Sequence, residues 1–152
     1  MNDTLYILNG PNLNLLGVRE PKLYGSTTLS QVEQRCRQVA GELGLRCEFR
    51  QTNHEGVMVD WVHEAREKAA AVVINPAGLS FRSIPLLDAL KALDKPIAEV
   101  HITNIHRRDE LYQKSLVSLT ATGVICGFGV FGYELAIRAM NEHLSEARLA
   151  LD

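Results

Sequence analysis

The chain has 152 residues, 46% of them hydrophobic and 22% charged, which suits one globular domain spanning residues 1–152 that needs no disulfide or metal staples. Its 16 Lys+Arg stand against 18 Asp+Glu, a formal charge of −2 with no dense run of either sign, which argues against nucleic-acid or membrane-surface binding driven by net charge and points to a small-molecule partner. No apolar stretch approaches the roughly 20 residues of a bilayer span, so no membrane partner is expected.

MNDTLYILNGPN reads as a polar start feeding a strand, not as a signal peptide, and the expected location is cytoplasmic. Thr4 to Leu8 is a β-rich run. After a long loop, Val32, Cys36, Val39, Ala40 and Leu43 recur at helical spacing within Ser30 to Leu43, and Gly44 stops the helix. Leu45, Cys47 and Phe49 alternate as a strand. Val59, Val62, Ala65 and Ala69 mark a second helix, which Asn53 or His54 can cap. Ala70 to Ile74 is the continuous apolar run of a strand buried on both faces. A helix over Ser83 to Leu93 follows, then strands over Pro96 to His101 and Gly123 to Cys126. Last comes a helix over Tyr133 to Leu144, with Leu135, Ala136, Ala139 and Met140 as its apolar residues. The three cysteines, Cys36, Cys47 and Cys126, are widely spaced and set among apolar neighbours, so they read as core residues, and no set of three ligands at metal spacing emerges.

Strands alternating with helices predict an α/β flavodoxin-like fold, a five-stranded parallel sheet with helices on both faces. Ligands of such sheets bind beyond the carboxyl ends of the strands. At the first end, the loop Asn9 to Gly25 is longer than the usual connection of about 2 to 6 residues and lacks both the GxGxxG and GxxxxGK[ST] patterns. Its polar groups are Asn12, Arg19 and Tyr24. A phenol ionises at about pH 10, so a tyrosine base at neutral pH needs about 4 kcal/mol of preferential phenolate stabilisation, part of which a nearby cation supplies. The same residues also suit a loop anchor and a solvated charge.

At the fourth strand end, the period of two places Glu99 and His101 on one side, where the carboxylate can orient the imidazole and favour imidazolium, as a general acid requires. At the third, the amide of Asn75 in Asn75-Pro76-Ala77-Gly78 can hold a substrate hydroxyl or simply serve the turn.

The runs Leu8-Asn9-Gly10-Pro11-Asn12-Leu13-Asn14-Leu15-Leu16-Gly17 with Arg19 and Tyr24-Gly25, Asn53-His54-Glu55-Gly56, Asn75-Pro76, Asp88-Ala89-Leu90, Glu99-Val100-His101-Ile102 with Asn104 and Arg108, and Gly132-Tyr133 resemble type II 3-dehydroquinate dehydratases over nearly the whole chain. The resemblance implies a cofactor-free elimination of water from a cyclic carboxylate, 3-dehydroquinate, through an enolate, in shikimate biosynthesis or quinate catabolism. It implies Tyr24 as base with Arg19 beside it, Asn12 holding a water at the enolate oxygen, and His101 paired to Glu99 as acid. Asn75 would touch the departing hydroxyl and the backbone amides of Ile102 and Thr103 the carboxylate. It also implies a homo-oligomer, a dodecamer built from trimers, in which Asp88 reaches a neighbouring site.

The departures lie on the far side of the ring. Phe81 and Tyr112 stand where the family places a histidine and an arginine that read distal hydroxyls. Either Arg82, Arg107 and Tyr112 take over that contact beside the family-matching Arg108, or the substrate is a related cyclic β-hydroxy ketone acid without those hydroxyls. A non-catalytic binder of such ligands is the third alternative.

Overall fold

The alternation of side chains along parallel strands sorts the apolar residues into two cores, one on each face of a sheet. A computed structural model describes residues 2–151. Its strands are β1 (Thr4–Asn9), β2 (Arg46–Gln51), β3 (Ala71–Asn75), β4 (Ile97–His101) and β5 (Gly123–Cys126), arranged in the order β2-β1-β3-β4-β5. Every neighbouring pair is parallel. The helices are α1 (Pro21–Tyr24), α2 (Leu29–Glu42), α3 (Glu55–Lys68), α4 (Ile84–Lys91) and α5 (Phe131–Leu149). This is the expected flavodoxin-like α/β architecture.

Leu5 and Ile7 of β1, Val73 of β3 and Val100 of β4 pack on one face against Val32 and Val39 of α2 and Ala136, Ile137 and Met140 of α5. Tyr6 and Leu8, Val72 and Ile74, and Ile97 point the other way, toward Met58 and Val62 of α3 and Leu86 and Leu90 of α4. Burying each such aliphatic side chain contributes about 1.5–3 kcal/mol, so two-faced burial along β1, β3 and β4 sets both register and strand order.

Helix starts follow local chemistry. Thr28 and Gln31 form a reciprocal capping box at α2, and the Ser83 hydroxyl accepts from the Leu86 N–H at α4; caps of this kind contribute about 1 kcal/mol each. The expected cap of α3 is different. His54 occupies the N-cap position without a side-chain bond, and the Asn53 oxygen accepts instead from the Asn12 N–H at 2.9 Å. The last helix extends beyond the expected Tyr133 to Leu144 at both ends, and its buried stripe runs through Tyr133, Ile137 and Met140, leaving Ala139 exposed. Of the cysteines, Cys36 is buried, Cys47 and Cys126 are partly so, and all three are free thiols.

Candidate active site

The strand order changes its sense between β1 and β3 while all strands stay parallel, and there the strand ends open into a cavity. Asn9 and Asn75 are register partners at the carboxyl ends of these strands. The Gly10 N–H donates to the Asn75 carbonyl at 2.9 Å. A Cβ on Gly10 would lie 2.4 Å from the Pro76 carbonyl oxygen, so only glycine lets the two turns touch. β2 secures the same loop from its other side: the Gln51 amide donates to the Gly10 carbonyl at 3.2 Å and to Asn53 Oδ1 at 3.1 Å. Asn12 takes a left-handed conformation, with φ of 69°. Leu13 and Leu16 are buried, which ties this first part of the loop to the core.

Beyond Gly17 the chain leaves the core, and Pro21 opens α1, which presents Tyr24. The cavity that Tyr24 faces measures about 210 Å³ and is lined by Asn12, Arg19, Tyr24, Asn75, His101 and Thr103, with Phe81, Ile102, Arg108 and Tyr112 completing its walls. The guanidinium carbon of Arg19 is 5.2 Å from the Tyr24 ring centroid, and that of Arg108 is 6.0 Å away. Two cations thus lie against one phenol ring at the mouth of the cavity. The Arg19–Glu20 pair, 3.5 Å apart and mostly solvent-exposed, adds little to stability and leaves Arg19 free to serve the cavity.

The sheet side of the cavity is different in kind. His101 is buried at the end of β4, and its Nε2 pairs with Glu99 Oε2 of the same strand face. Glu99 is fully buried, and its other oxygen accepts from the Ser118 hydroxyl at 2.6 Å. Burial opposes ionisation of Glu99, but the hydrogen bonds from His101 and Ser118 outweigh it and hold the carboxyl below the usual carboxylate range. A buried carboxylate thus fixes the imidazole that faces the cavity, an arrangement suited to giving a proton to a leaving oxygen.

The distal wall is aromatic. Phe81 stacks near His101, with ring centroids 6.3 Å apart, and meets Tyr112 edge-on at 5.5 Å. The Arg108 guanidinium carbon lies 4.1 Å from the Tyr112 ring centroid. Arg82 and Asp88 are exposed and do not line the cavity within this chain. Arg107 is likewise exposed and outside the cavity. Sequence reasoning missed the supporting roles of Asn53, Ser118 and the pair Asn9 and Tyr133, which hold Asn12, Glu99 and Asn75 respectively. Only tertiary proximity reveals these roles. Among the described residues, no group of three His, Cys, Asp or Glu is placed to hold a metal ion.

The profile of the family described as "Dehydroquinase class II" matches residues 3–141. The 3-dehydroquinate dehydratase 1 of Agrobacterium fabrum is 54% identical over 140 residues, covering 92% of this chain and 97% of the relative. The 3-dehydroquinate dehydratase of Caulobacter vibrioides is 56% identical over 135 residues, covering 89% and 92%. The crystal structure of type II dehydroquinase from Propionibacterium acnes superimposes with a TM-score of 0.90 at 45% identity, covering 93% of this chain and 98% of that one. A 3-dehydroquinate dehydratase-like protein from Bifidobacterium longum superimposes with a TM-score of 0.71 at 32% identity, covering 95% and 99%. With the strand-end cavity and similarity over nine-tenths of the chain in agreement, this chain belongs to the class II dehydroquinase family.

Proposed function

We infer that this chain is a hydro-lyase that removes water from 3-dehydroquinate to give 3-dehydroshikimate without a cofactor. Its relatives at more than half identity over nine-tenths of the chain carry the name of that activity. The observation that carries the mechanism is that one cavity receives both Tyr24, flanked by Arg19 and Arg108, and His101, backed by Glu99. In this reading the Tyr24 phenolate takes the proton beside the ketone. The resulting enolate oxygen is met by a water held on Asn12. His101 then protonates the departing hydroxyl, with Asn75 also bonded to that oxygen, while the backbone amides of Ile102 and Thr103 hold the carboxylate. Each proton has a designated partner, and the electron pair released at the carbon beside the ketone ends in the new carbon–carbon double bond.

Residues 1–152 act in this reading as one catalytic domain in the cytoplasm, within shikimate biosynthesis or quinate catabolism. The chain assembles as a dodecamer of trimers, with exposed Asp88 directed to a neighbouring site. Size-exclusion chromatography with light scattering tests the assembly, and a mass of one or three chains overturns it.

Purified protein incubated with 3-dehydroquinate is expected to generate the ultraviolet absorbance of a conjugated enone, and the Tyr24→Phe variant is expected to abolish nearly all of it. Folded wild-type protein that forms no product overturns the reading.

The aromatic wall of Phe81 and Tyr112 favours a second reading, in which the preferred ring lacks one or both distal hydroxyls. A site built to bond a hydroxyl rejects the analogue lacking it by about 10⁴–10⁵-fold. A kcat/KM for a distal deoxy analogue within about tenfold of that for 3-dehydroquinate supports the second reading, and a loss of the full size excludes it.

A further inference from the structure

Asn75 can offer a ligand either end of its amide, and the two ends do opposite things to a hydroxyl oxygen. A chain of hydrogen bonds across the sheet decides which end is presented. Asn9 and Asn75 are register partners, and period-two alternation sends both side chains toward the face covered by α5. There the buried Tyr133, in the first turn of α5, lies between them. Its hydroxyl donates to Asn9 Oδ1 at 2.6 Å and accepts from Asn75 Nδ2 at 2.9 Å.

The polarity of this chain is not arbitrary, because a backbone group fixes it at each end. At one end the Arg50 carbonyl, which can only accept, takes a bond from Asn9 Nδ2 at 3.1 Å. That turns Asn9 Oδ1 toward Tyr133, and a hydroxyl with a single hydrogen must spend it there. Tyr133 is then left only as an acceptor toward Asn75. At the other end the Ala77 N–H, which can only donate, meets Asn75 Oδ1 at 3.2 Å. Ala77 holds that position with a left-handed backbone, φ of 50°, unusual for a residue with a Cβ. Both ends demand the same orientation of the Asn75 amide. One of its two N–H bonds goes to Tyr133, and the second remains for the cavity that Asn75 lines.

We propose that Tyr133 is a positioning residue that locks the Asn75 side chain as an N–H donor to the substrate oxygen that leaves. The assignment rests on the dehydratase reading for its catalytic consequence. The departing oxygen gains electron density as its carbon–oxygen bond breaks, so a fixed donor helps more in the transition state than in the ground state. A carbonyl oxygen in the same place would repel it. Because the lock is made before substrate arrives, no reorientation is required during the reaction.

The consequence is a kcat effect that passes through Asn75. Tyr133→Phe keeps the ring and removes the hydroxyl, and is expected to lower kcat about 10- to 100-fold with KM changed less than about threefold. In an Asn75→Ala background the same substitution is expected to change kcat by less than about twofold, because nothing remains to be positioned. Equal losses in both backgrounds, or an unchanged kcat in the single variant, overturn the proposal. If Tyr133→Phe does not fold, Asn9→Leu removes the acceptor that directs the hydroxyl and is read in the same two backgrounds against the same criteria.

A readout without turnover separates this proposal from the proposed function. In the ¹⁵N-labelled protein without ligand, one side-chain amide proton of Asn75 is expected to exchange slowly, and to exchange faster in Tyr133→Phe. Indistinguishable exchange in the two proteins overturns the lock even where the wild type is active, and protected exchange in an inactive wild type upholds it while the dehydratase reading fails.

Discussion

The two sides of the cavity are built by opposite means. On the loop side, Asn12 and Arg19 are exposed, Tyr24 is half-buried, and left-handed backbone recurs at Asn12, Gly17, Glu20 and Gly25. On the sheet side, His101, Glu99 and Asn75 are buried at strand ends and held by hydrogen bonds. The loop side can therefore act as a lid that completes the site on closing and excludes water, whereas the sheet side is preorganised before any ligand arrives. Substitutions on the loop side should thus cost activity alone, and substitutions on the sheet side should cost activity and stability together.

The largest expected effect falls on activity alone. Tyr24→Phe should cut kcat by at least about 100-fold, the lower range for removing a general base, while the thermal midpoint moves by less than about 2 °C, since among the described residues the hydroxyl makes no hydrogen bond that the substitution would break. A variant that loses both activity and stability would break the contrast from the loop side.

His101→Ala breaks the other side. Loss of the acid should lower kcat by about 100-fold as well. Here the buried Glu99 carboxylate also loses its ring partner, and an orphaned buried group costs about 1–3 kcal/mol or more. Urea denaturation should show a lower midpoint at an unchanged slope. A midpoint equal to that of the wild type would mean that Glu99 finds other partners.

The acid limb sharpens the comparison further. Glu99 has its carboxyl held below the ordinary value near 4.5 despite burial. Its ionised form therefore adds stability that is fully present above that ordinary value and is lost as pH falls through the lower native value. Glu134, which Arg138 and Arg35 hold low against the effect of burial, acts in the same direction. Wild-type stability should fall as pH drops from about 5 toward 3, and Glu99→Gln should flatten part of that fall without removing Glu134's share. Parallel curves for the two proteins would take Glu99 out of the account.

Much of this division was legible in the sequence, for reasons that particular residues make plain. Ala70 to Ile74 read as a buried strand, within a residue of the observed Ala71–Asn75, because both faces are covered, and Glu99 and His101 were paired correctly because period two is a local rule. The short 3-10 turns after β4, at Ile105–Arg107, Glu110–Tyr112 and Val117–Leu119, gave no such signal, since a single i to i+3 turn has no periodicity to detect. Asn53 looked like a helix cap because its local chemistry suits one, and the first loop claims its oxygen instead. Tyr133 read as part of a helix. Its partners Asn9 and Asn75 lie 124 and 58 residues away in the sequence, beyond any local pattern.

The smallest effect concerns Ser118, which separates the charge of Glu99 from its orientation. The Ser118 hydroxyl donates to the carboxylate oxygen opposite the one that pairs with His101, so removing it leaves the dyad intact but frees one side of the carboxylate. Ser118→Ala should cost about 1 kcal/mol of stability, the usual net worth of one hydrogen bond. If the carboxylate needs both bonds to aim at the imidazole, kcat should also fall about 2- to 5-fold, since a slight misalignment of a catalytic group already reduces rate. If kcat holds while stability drops, the His101 bond alone orients the pair, and the preorganisation of the sheet side resides in the β4 backbone that carries both residues.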